Sequence, residues 1–121
     1  MNSLKKELIT CFGVSTTMDS LKNNRLVLLT SVGLIIGTFV SHDDETNSEP
    51  VKFLDQISTD IACNYKQQNN IDSKTPLDGN DGFLSLKDVQ IKSGNNTLNF
   101  SFINIFFDQI IGVTIAGSVT D

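Results

Sequence analysis

Residues 26–40 read LVLLTSVGLIIGTFV, and this uncharged run decides what kind of fold the sequence encodes. It is 15 residues long, which is shorter than the roughly 17–25 residues that a membrane-spanning helix needs. Its β-branched residues and internal glycines suit two buried strands and their turn better than a helix in lipid. The run predicts a strand over residues 25–30, a turn at 31–33 and a second strand over 34–41. We therefore expect a cytoplasmic protein with no membrane segment.

Three further strands are predicted in the C-terminal third of the chain. Residues 83–91 alternate apolar and polar side chains, and a Ser-Gly-Asn-Asn turn follows them. After the turn, alternate apolar residues up to Phe102 share one strand face, whereas those from Ile103 onward are one position out of step. This change of phase predicts a bulge or a sharp bend near Phe102. Residues 110–115 form the last predicted strand, which brings the total to five.

Two helices are predicted outside the strands. Residues 3–12 have the apolar spacing of a short amphipathic helix, and Gly13 follows as a stop signal. Residues 43–82 form a polar insertion, which is too long to be a structureless loop in a compact domain. Ser48 as a cap and Pro50 in the first turn predict a helix within it over residues 50–66. The apolar stripe of this helix comprises Leu54, Ile57, Ile61 and Tyr65.

Composition indicates one globular domain and disfavours nucleic acid as a partner. The chain has 121 residues, of which 39% are hydrophobic and 19% charged, so residues 1–121 are expected to share one core. The formal net charge is −5, so a nucleic-acid backbone would be repelled unless the nine basic residues were gathered on one face. Cys11 and Cys63 belong to no metal or redox motif, and we expect both to be buried, reduced thiols.

No sequence motif indicates a catalytic, cofactor-binding or metal-binding site. An EF-hand alignment over residues 77–88 places Leu77 and Gly79 at two positions that need oxygen ligands, so an Asp/Gly turn that leads into a strand is favoured there. His42 stands beside three acidic residues, but neighbouring loop side chains point in different directions, and a solvated acidic loop is favoured over a metal site. We therefore expect a protein that is not an enzyme and has no cofactor.

The order of these elements, a short helix followed by five strands, resembles the Sm-like superfamily of small β-barrels. The first family motif is matched by apolar, glycine, Asp and Asn positions at similar spacing, namely Leu26, Leu28, Gly33, Gly37, Phe39, Asp43 and Asn47. The second motif resembles INIFFDQIIGVTI at residues 103–115, where Phe107 and Asp108 replace the family's Arg-Gly pair. The resemblance covers about half of the chain.

This resemblance implies a fold, a site and a mode of association. The fold would be a mainly β, five-stranded Sm-like or SH3-like small barrel with a short N-terminal helix and a partly helical insertion at about residues 43–82. In family members that bind RNA, the positions of Asp43 and Asn47 face the pore of a ring. The fourth strand of one subunit pairs with the fifth strand of its neighbour, which implies an oligomer interface that includes Phe100, Phe102, Ile103, Ile105, Ile110 and Val113.

The leading expectation is a non-enzymatic barrel that forms a homo-oligomer and acts as a scaffold or a protein-binding module. The alternative is an RNA-binding Sm-like protein that uses Asp43 and Asn47, although the net charge disfavours it. Replacement of the family's arginine by Phe107 also removes a cation that would contact RNA.

Overall fold

The computed structural model describes residues 3–18, 21 and 23–117, which form a five-stranded antiparallel sheet and two helices. The elements in chain order are α1 (Leu4–Ser15), β1 (Arg25–Thr30), β2 (Gly33–Phe39), α2 (Glu49–Gln68), β3 (Phe83–Ser93), β4 (Asn96–Phe106) and β5 (Ile110–Ala116). A 3₁₀ turn at Phe107–Gln109 separates β4 from β5. The predicted five strands and both predicted helices are confirmed.

The run at residues 26–40 folds as the β1–β2 hairpin. Leu26 pairs with Gly37, and Thr30 pairs with Gly33 across the turn. The side chains of Leu26 and Leu28 are fully buried, because they face the core while their neighbours along β1 face outward. None of the helices in the described part of the chain is both long enough and apolar enough to cross a bilayer.

The sheet has the strand order β4-β3-β2-β1-β5, and all four pairings are antiparallel. No pairing joins β4 to β5 among the described residues, so the sheet stays open at both ends and the predicted closed barrel is not observed. One cluster of buried side chains forms the core: Ile9, Leu26, Leu28, Ile35, Leu84, Leu86, Val89, Ile105, Phe107 and Ile110.

The sheet has two register irregularities, one between Leu29 and Thr30 in the β1–β5 pairing and one in β3 at Asp88. The β2–β3 register shifts between Ile36 and Thr38, so that two residues of β3 oppose Gly37. Asp88 has φ +52°, and its carbonyl accepts a hydrogen bond from the Arg25 guanidinium. The β3–β4 register is constant along its length, including at Phe102, so the bulge predicted in β4 lies instead in the neighbouring strand. The extra residue there reverses which alternate side chains of β3 face the core.

Helix α1 begins where the sequence predicts but ends later. The Ser3 hydroxyl accepts a hydrogen bond from the Lys6 backbone N–H at 3.0 Å and caps the first turn. Gly13 does not stop the helix. It lies within the helix, at a point where a Cβ atom would lie 2.9 Å from Cδ1 of Phe39. The absence of a side chain at Gly13 therefore allows the helix to approach β2 closely.

Lys6 joins α1 to the end of the insertion. Its Nζ donates to the carbonyl oxygens of Leu77 at 2.8 Å and Asp81 at 2.6 Å, and it lies 5.5 Å from the centroid of the Phe107 ring. Burial lowers the pKa of the Lys6 ammonium, and the nearby Asp81 carboxylate opposes that shift. The lysine therefore holds the chain that leads into β3 against the first turns of α1.

Helix α2 spans Glu49–Gln68, close to the predicted 50–66. Ser48 caps it through a hydrogen bond from the Val51 N–H at 3.4 Å. The buried residues of the helix are Val51 and Asp55, and the predicted stripe of Leu54, Ile57, Ile61 and Tyr65 is exposed. Both cysteines are also exposed, so the prediction that they are buried is wrong. Cys11 and Cys63 lie on the helices, outside the core that the sheet provides.

Candidate functional site

The most distinctive surfaces of the described chain are the two open edges of the sheet. Among the described residues, strand β4 pairs only with β3, and β5 pairs only with β1. Each edge therefore presents one row of backbone N–H and C=O groups that no described strand satisfies, and such an edge is a template for another strand. The exposed apolar side chains on these two strands are Leu98, Phe100 and Phe106 of β4 and Ile111 of β5.

The six residues predicted for an oligomer interface fall into three groups. Phe100 is exposed on β4, and Phe102 beside it is partly buried. Ile103 and Val113 are partly buried against the core. The side chains of Ile105 and Ile110 lie inside the core cluster. For these last two residues, a contact with another chain would have to use the strand backbone, because their side chains are already enclosed.

The two residues predicted to contact RNA differ in their exposure to solvent. Asp43 is exposed, whereas Asn47 is buried. The Asn47 amide donates to the Ser41 carbonyl at 3.0 Å, and its oxygen accepts a hydrogen bond from Lys87 Nζ. Both ends of the amide therefore organise the loop between β2 and α2.

Asp44 completes this loop cluster. Its carboxylate accepts hydrogen bonds from the Thr46 hydroxyl at 2.6 Å and the Thr46 backbone N–H at 2.9 Å, and it pairs with Lys87 at 3.0 Å. These bonds, first those from Thr46 and then the one from Lys87, lower the pKa of Asp44 to about 2. The cluster anchors the loop to β3, because Lys87 lies on that strand.

A cleft of about 360 Å³ lies between α2 and the sheet. At one end, His42 Nδ1 and Asp55 Oδ2 are 2.6 Å apart, with the carboxylate buried and the imidazole mostly exposed. Next to it, the Ser85 hydroxyl donates to Asn104 Oδ1 at 2.6 Å, and the Asn104 amide donates to the Ser58 hydroxyl at 2.8 Å. This chain of polar bonds fixes α2 over β3 and β4.

The sequence interpretation missed the buried face of α2. Asp55 lies one turn after Val51, at a position that faces the sheet, and a carboxylate at such a position needs a partner. The signal was the pairing of that carboxylate with the single histidine of the chain, His42, but the two are 13 residues apart and only the fold brings them together.

The possible calcium loop at residues 77–88 is not formed as a loop, since its second half, from Phe83 onward, is strand β3. Across residues 3–18, 21 and 23–117, no three His, Cys, Asp or Glu side chains are grouped so that they could hold a metal ion.

A comparison of this chain with known protein families finds no match, and comparisons with curated proteins and with solved structures find none either. What the protein does has to be inferred from its own geometry.

Proposed function

We propose that this protein is a non-enzymatic, Sm-like β domain that assembles with copies of itself through the two edges of its sheet and serves as a scaffold or a protein-binding module. The observation that carries the proposal is the identity of the open edges. They belong to β4 and β5, the two strands that the Sm-like resemblance pairs between neighbouring subunits.

The two edges differ from each other, which favours a head-to-tail contact. Strand β4 has 11 residues and β5 has seven, and each carries its own exposed apolar side chains. A contact between unlike edges leaves one edge free on each terminal copy, so further copies add until the rotation closes a ring, or they form an open filament where it does not close. A two-fold contact of like edges would stop at a dimer.

RNA binding has less support from the geometry. The Asn47 side chain is buried, and its amide is held by hydrogen bonds with Ser41 and Lys87, so it is not presented to a base edge. Lys87 is likewise engaged with Asp44 and Asn47, which removes one of the few cations near that loop.

The experiment uses two variants that each block one edge. Phe100→Lys places a charge on β4, and Ile111→Lys places one on β5, because lysine on an edge strand opposes the addition of another strand. Val32→Lys, in the turn between β1 and β2, is the matched control: Val32 and Ile111 are both 66% exposed. Circular dichroism checks that each variant is folded.

We expect the unaltered protein and Val32→Lys to sediment as assemblies of several copies at micromolar concentration. Each edge variant alone should sediment as a monomer. A mixture of the two edge variants should form a capped pair, since one chain retains β4 and the other retains β5. A monomeric unaltered protein, or a mixture that stays monomeric, would refute the proposal. Absorbance at 260 nm on the same sample reports carried-over nucleic acid, which the RNA-binding alternative requires.

A further inference from the structure

The cleft of about 360 Å³ beside α2 has walls of two different kinds. One wall is apolar and comes from the end of β2, the start of β3 and the turn after β4. Its residues are Phe39, Val40, Phe83, Leu84 and Phe107. Three of these five side chains are phenylalanine rings, so this wall offers flat apolar surfaces against which another ring can pack.

The facing wall is the inner side of α2, and it consists of small or polar side chains. They recur at steps of three and four residues, which places them on one face of the helix. These residues are Asp55, Ser58, Thr59, Ala62, Cys63 and Lys66. The larger apolar residues of α2, such as Ile61 and Tyr65, are exposed on its other sides. Short side chains that face an apolar wall do not fill the space between helix and sheet, and a cavity results.

The size and lining of this cavity are those of a site for a small molecule. Protein interiors are close-packed and contain few voids larger than a water molecule. A cavity of about 360 Å³ falls within the roughly 300–1,000 Å³ that is usual for small-molecule sites. Such sites are lined mainly by apolar and aromatic side chains, with a few polar groups that orient the ligand. The phenylalanine wall and the polar residues of α2 meet both conditions.

Asp55 is the polar group best placed to orient a ligand. The residue is only 7% exposed, and its Oδ2 lies 2.6 Å from His42 Nδ1 at one end of the cleft. An ionised carboxylate accepts about four hydrogen bonds through its two oxygens, so the bond to His42 leaves most of that capacity unused. A buried charge is costly unless it is paired and hydrogen-bonded. A cationic donor inside the cleft would therefore be favoured at Asp55.

The one lysine that lines the cleft lies at its far end. Lys66 follows Asp55 by 11 residues on the same helix, which is about 16 Å along the axis at 1.5 Å per residue. Its Nζ donates to the Ser73 carbonyl at 3.3 Å. A ligand small enough for the cavity cannot contact both charges, so a ligand held by Asp55 meets an acidic group and not a basic one.

We propose that this cleft binds a small protonated amine that carries an aromatic ring. The ammonium group donates to the Asp55 carboxylate, and the ring packs against the phenylalanine wall, whose ring faces also attract a cation. None of the residues that line the cleft in the described chain belongs to β4 or β5. The inference therefore goes beyond the edge-to-edge assembly proposed above and does not depend on it.

Three probes of the same size and different charge test the proposal on the unaltered protein. They are 2-phenylethylamine, which is a cation at neutral pH, the neutral 2-phenylethanol and the anion phenylacetate. Saturation-transfer NMR detects weak binding to a protein of any assembly size. We expect 2-phenylethylamine to bind about tenfold tighter than 2-phenylethanol, because a charge-assisted hydrogen bond replaces a neutral one. Phenylacetate should bind most weakly, since Asp55 repels it.

Two charge variants on α2 locate the ammonium group. Asp55→Asn keeps the shape of the side chain and an oxygen for His42 but removes the charge, so the tenfold preference for the amine should disappear. Asp60→Asn is the matched control: it removes the same charge from the same helix, but Asp60 is exposed and bonds to Gln56 at 2.9 Å. The preference should be unchanged in this variant. Circular dichroism checks that both variants are folded.

Ala62→Leu locates the ring by filling the cleft from the middle of the α2 wall. It should weaken the binding of 2-phenylethylamine and 2-phenylethanol alike, because the added side chain takes up space that either ring needs. Undiminished binding of both probes to a folded Ala62→Leu variant would overturn the proposal, since the ring would then bind elsewhere.

The remaining outcomes each decide the proposal. It would be overturned by an amine that shows no saturable binding, by equal affinity for 2-phenylethylamine and 2-phenylethanol, or by equal losses in Asp55→Asn and Asp60→Asn. A preference for the amine that is lost only in Asp55→Asn supports it. Sedimentation measures edge-to-edge assembly separately, so the failure of one proposal is distinguishable from the failure of the other.

Discussion

Replacing Gly37 by alanine tests the geometry of the β3 bulge. Gly37 lies on β2 at the bulge, where two residues of β3 oppose it. A Cβ atom at Gly37 would lie 3.1 Å from Leu86 Cβ and 3.2 Å from both Leu86 Cδ1 and Val89 Cγ2. Those distances are tighter than ordinary carbon contacts, which lie near 3.5–4.0 Å. Leu86 and Val89 are fully buried, so neither can move aside without disturbing its own neighbours.

The expected change in stability is the difference between two opposing effects. An added methyl group in a packed core costs about 1–3 kcal/mol through strain, whereas replacing glycine by alanine stabilises by about 0.4–1 kcal/mol because it restricts the unfolded chain. The strain outweighs the gain, so Gly37→Ala should reduce the free energy of unfolding by about 1–2 kcal/mol. The corresponding fall in melting temperature is about 4–8 °C for a domain near this size.

Gly112→Ala is the matched control for Gly37→Ala. Both glycines lie inside strands and neither has a positive φ, but a Cβ atom at Gly112 would lie 3.6 Å from Leu29 Cβ, an ordinary contact. This variant should be as stable as the unaltered protein or slightly more stable. Urea unfolding of all three proteins at one concentration measures the difference. If Gly37→Ala were as stable as Gly112→Ala, the close packing at the bulge would be refuted.

Three further outcomes follow from the side-chain contacts. The pKa of Asp44 is lowered to about 2 from an ordinary 3.8, so its contribution to stability is present above pH 4 and is lost as the pH falls toward 2. Urea unfolding midpoints measured between pH 4 and pH 2 should therefore fall less steeply for Asp44→Asn than for the unaltered protein. Lys6→Met removes two hydrogen bonds from an ammonium group and should lower the free energy of unfolding by about 1–3 kcal/mol, with faster proteolysis of the chain before β3; an unchanged cleavage rate would argue against the link. Cys11 and Cys63 are exposed, so two thiols per chain should react with Ellman's reagent before any unfolding, and a requirement for denaturant would contradict their position.

Features that depend on neighbouring residues in the chain were predicted well. The hairpin at residues 26–40 follows from β-branched residues and a short turn, and α2 follows from Ser48 as its cap and Pro50 in its first turn. These signals are local, because a cap, a turn or a period of two or 3.6 acts within a few residues. The same reasoning located all five strands but could not locate the bulge, since only the β2–β3 register places it at Asp88.

The oligomer interface stays a prediction, and the structure shows where its residues lie. Phe100 is exposed on the open β4 edge, whereas Ile105 and Ile110 are enclosed in the core. All are apolar strand residues, and sequence does not distinguish an apolar side chain that closes a core from one that contacts a partner. That distinction depends on which strands pair within the chain.

The sequence by itself determined the local elements of this protein: two helices, the Ser48 cap of the second helix, five strands and the tight turns of the β1–β2 and β3–β4 hairpins. Only the tertiary structure decided which faces those elements bury. Helix α2 lies over Ser85 and Asn104, a polar part of the sheet, so Asp55 and Ser58 face inward and the apolar stripe stays outside. The physical reason is that periodicity fixes which side chains share a face of a helix, but the surface against which the helix packs fixes which of its faces is buried.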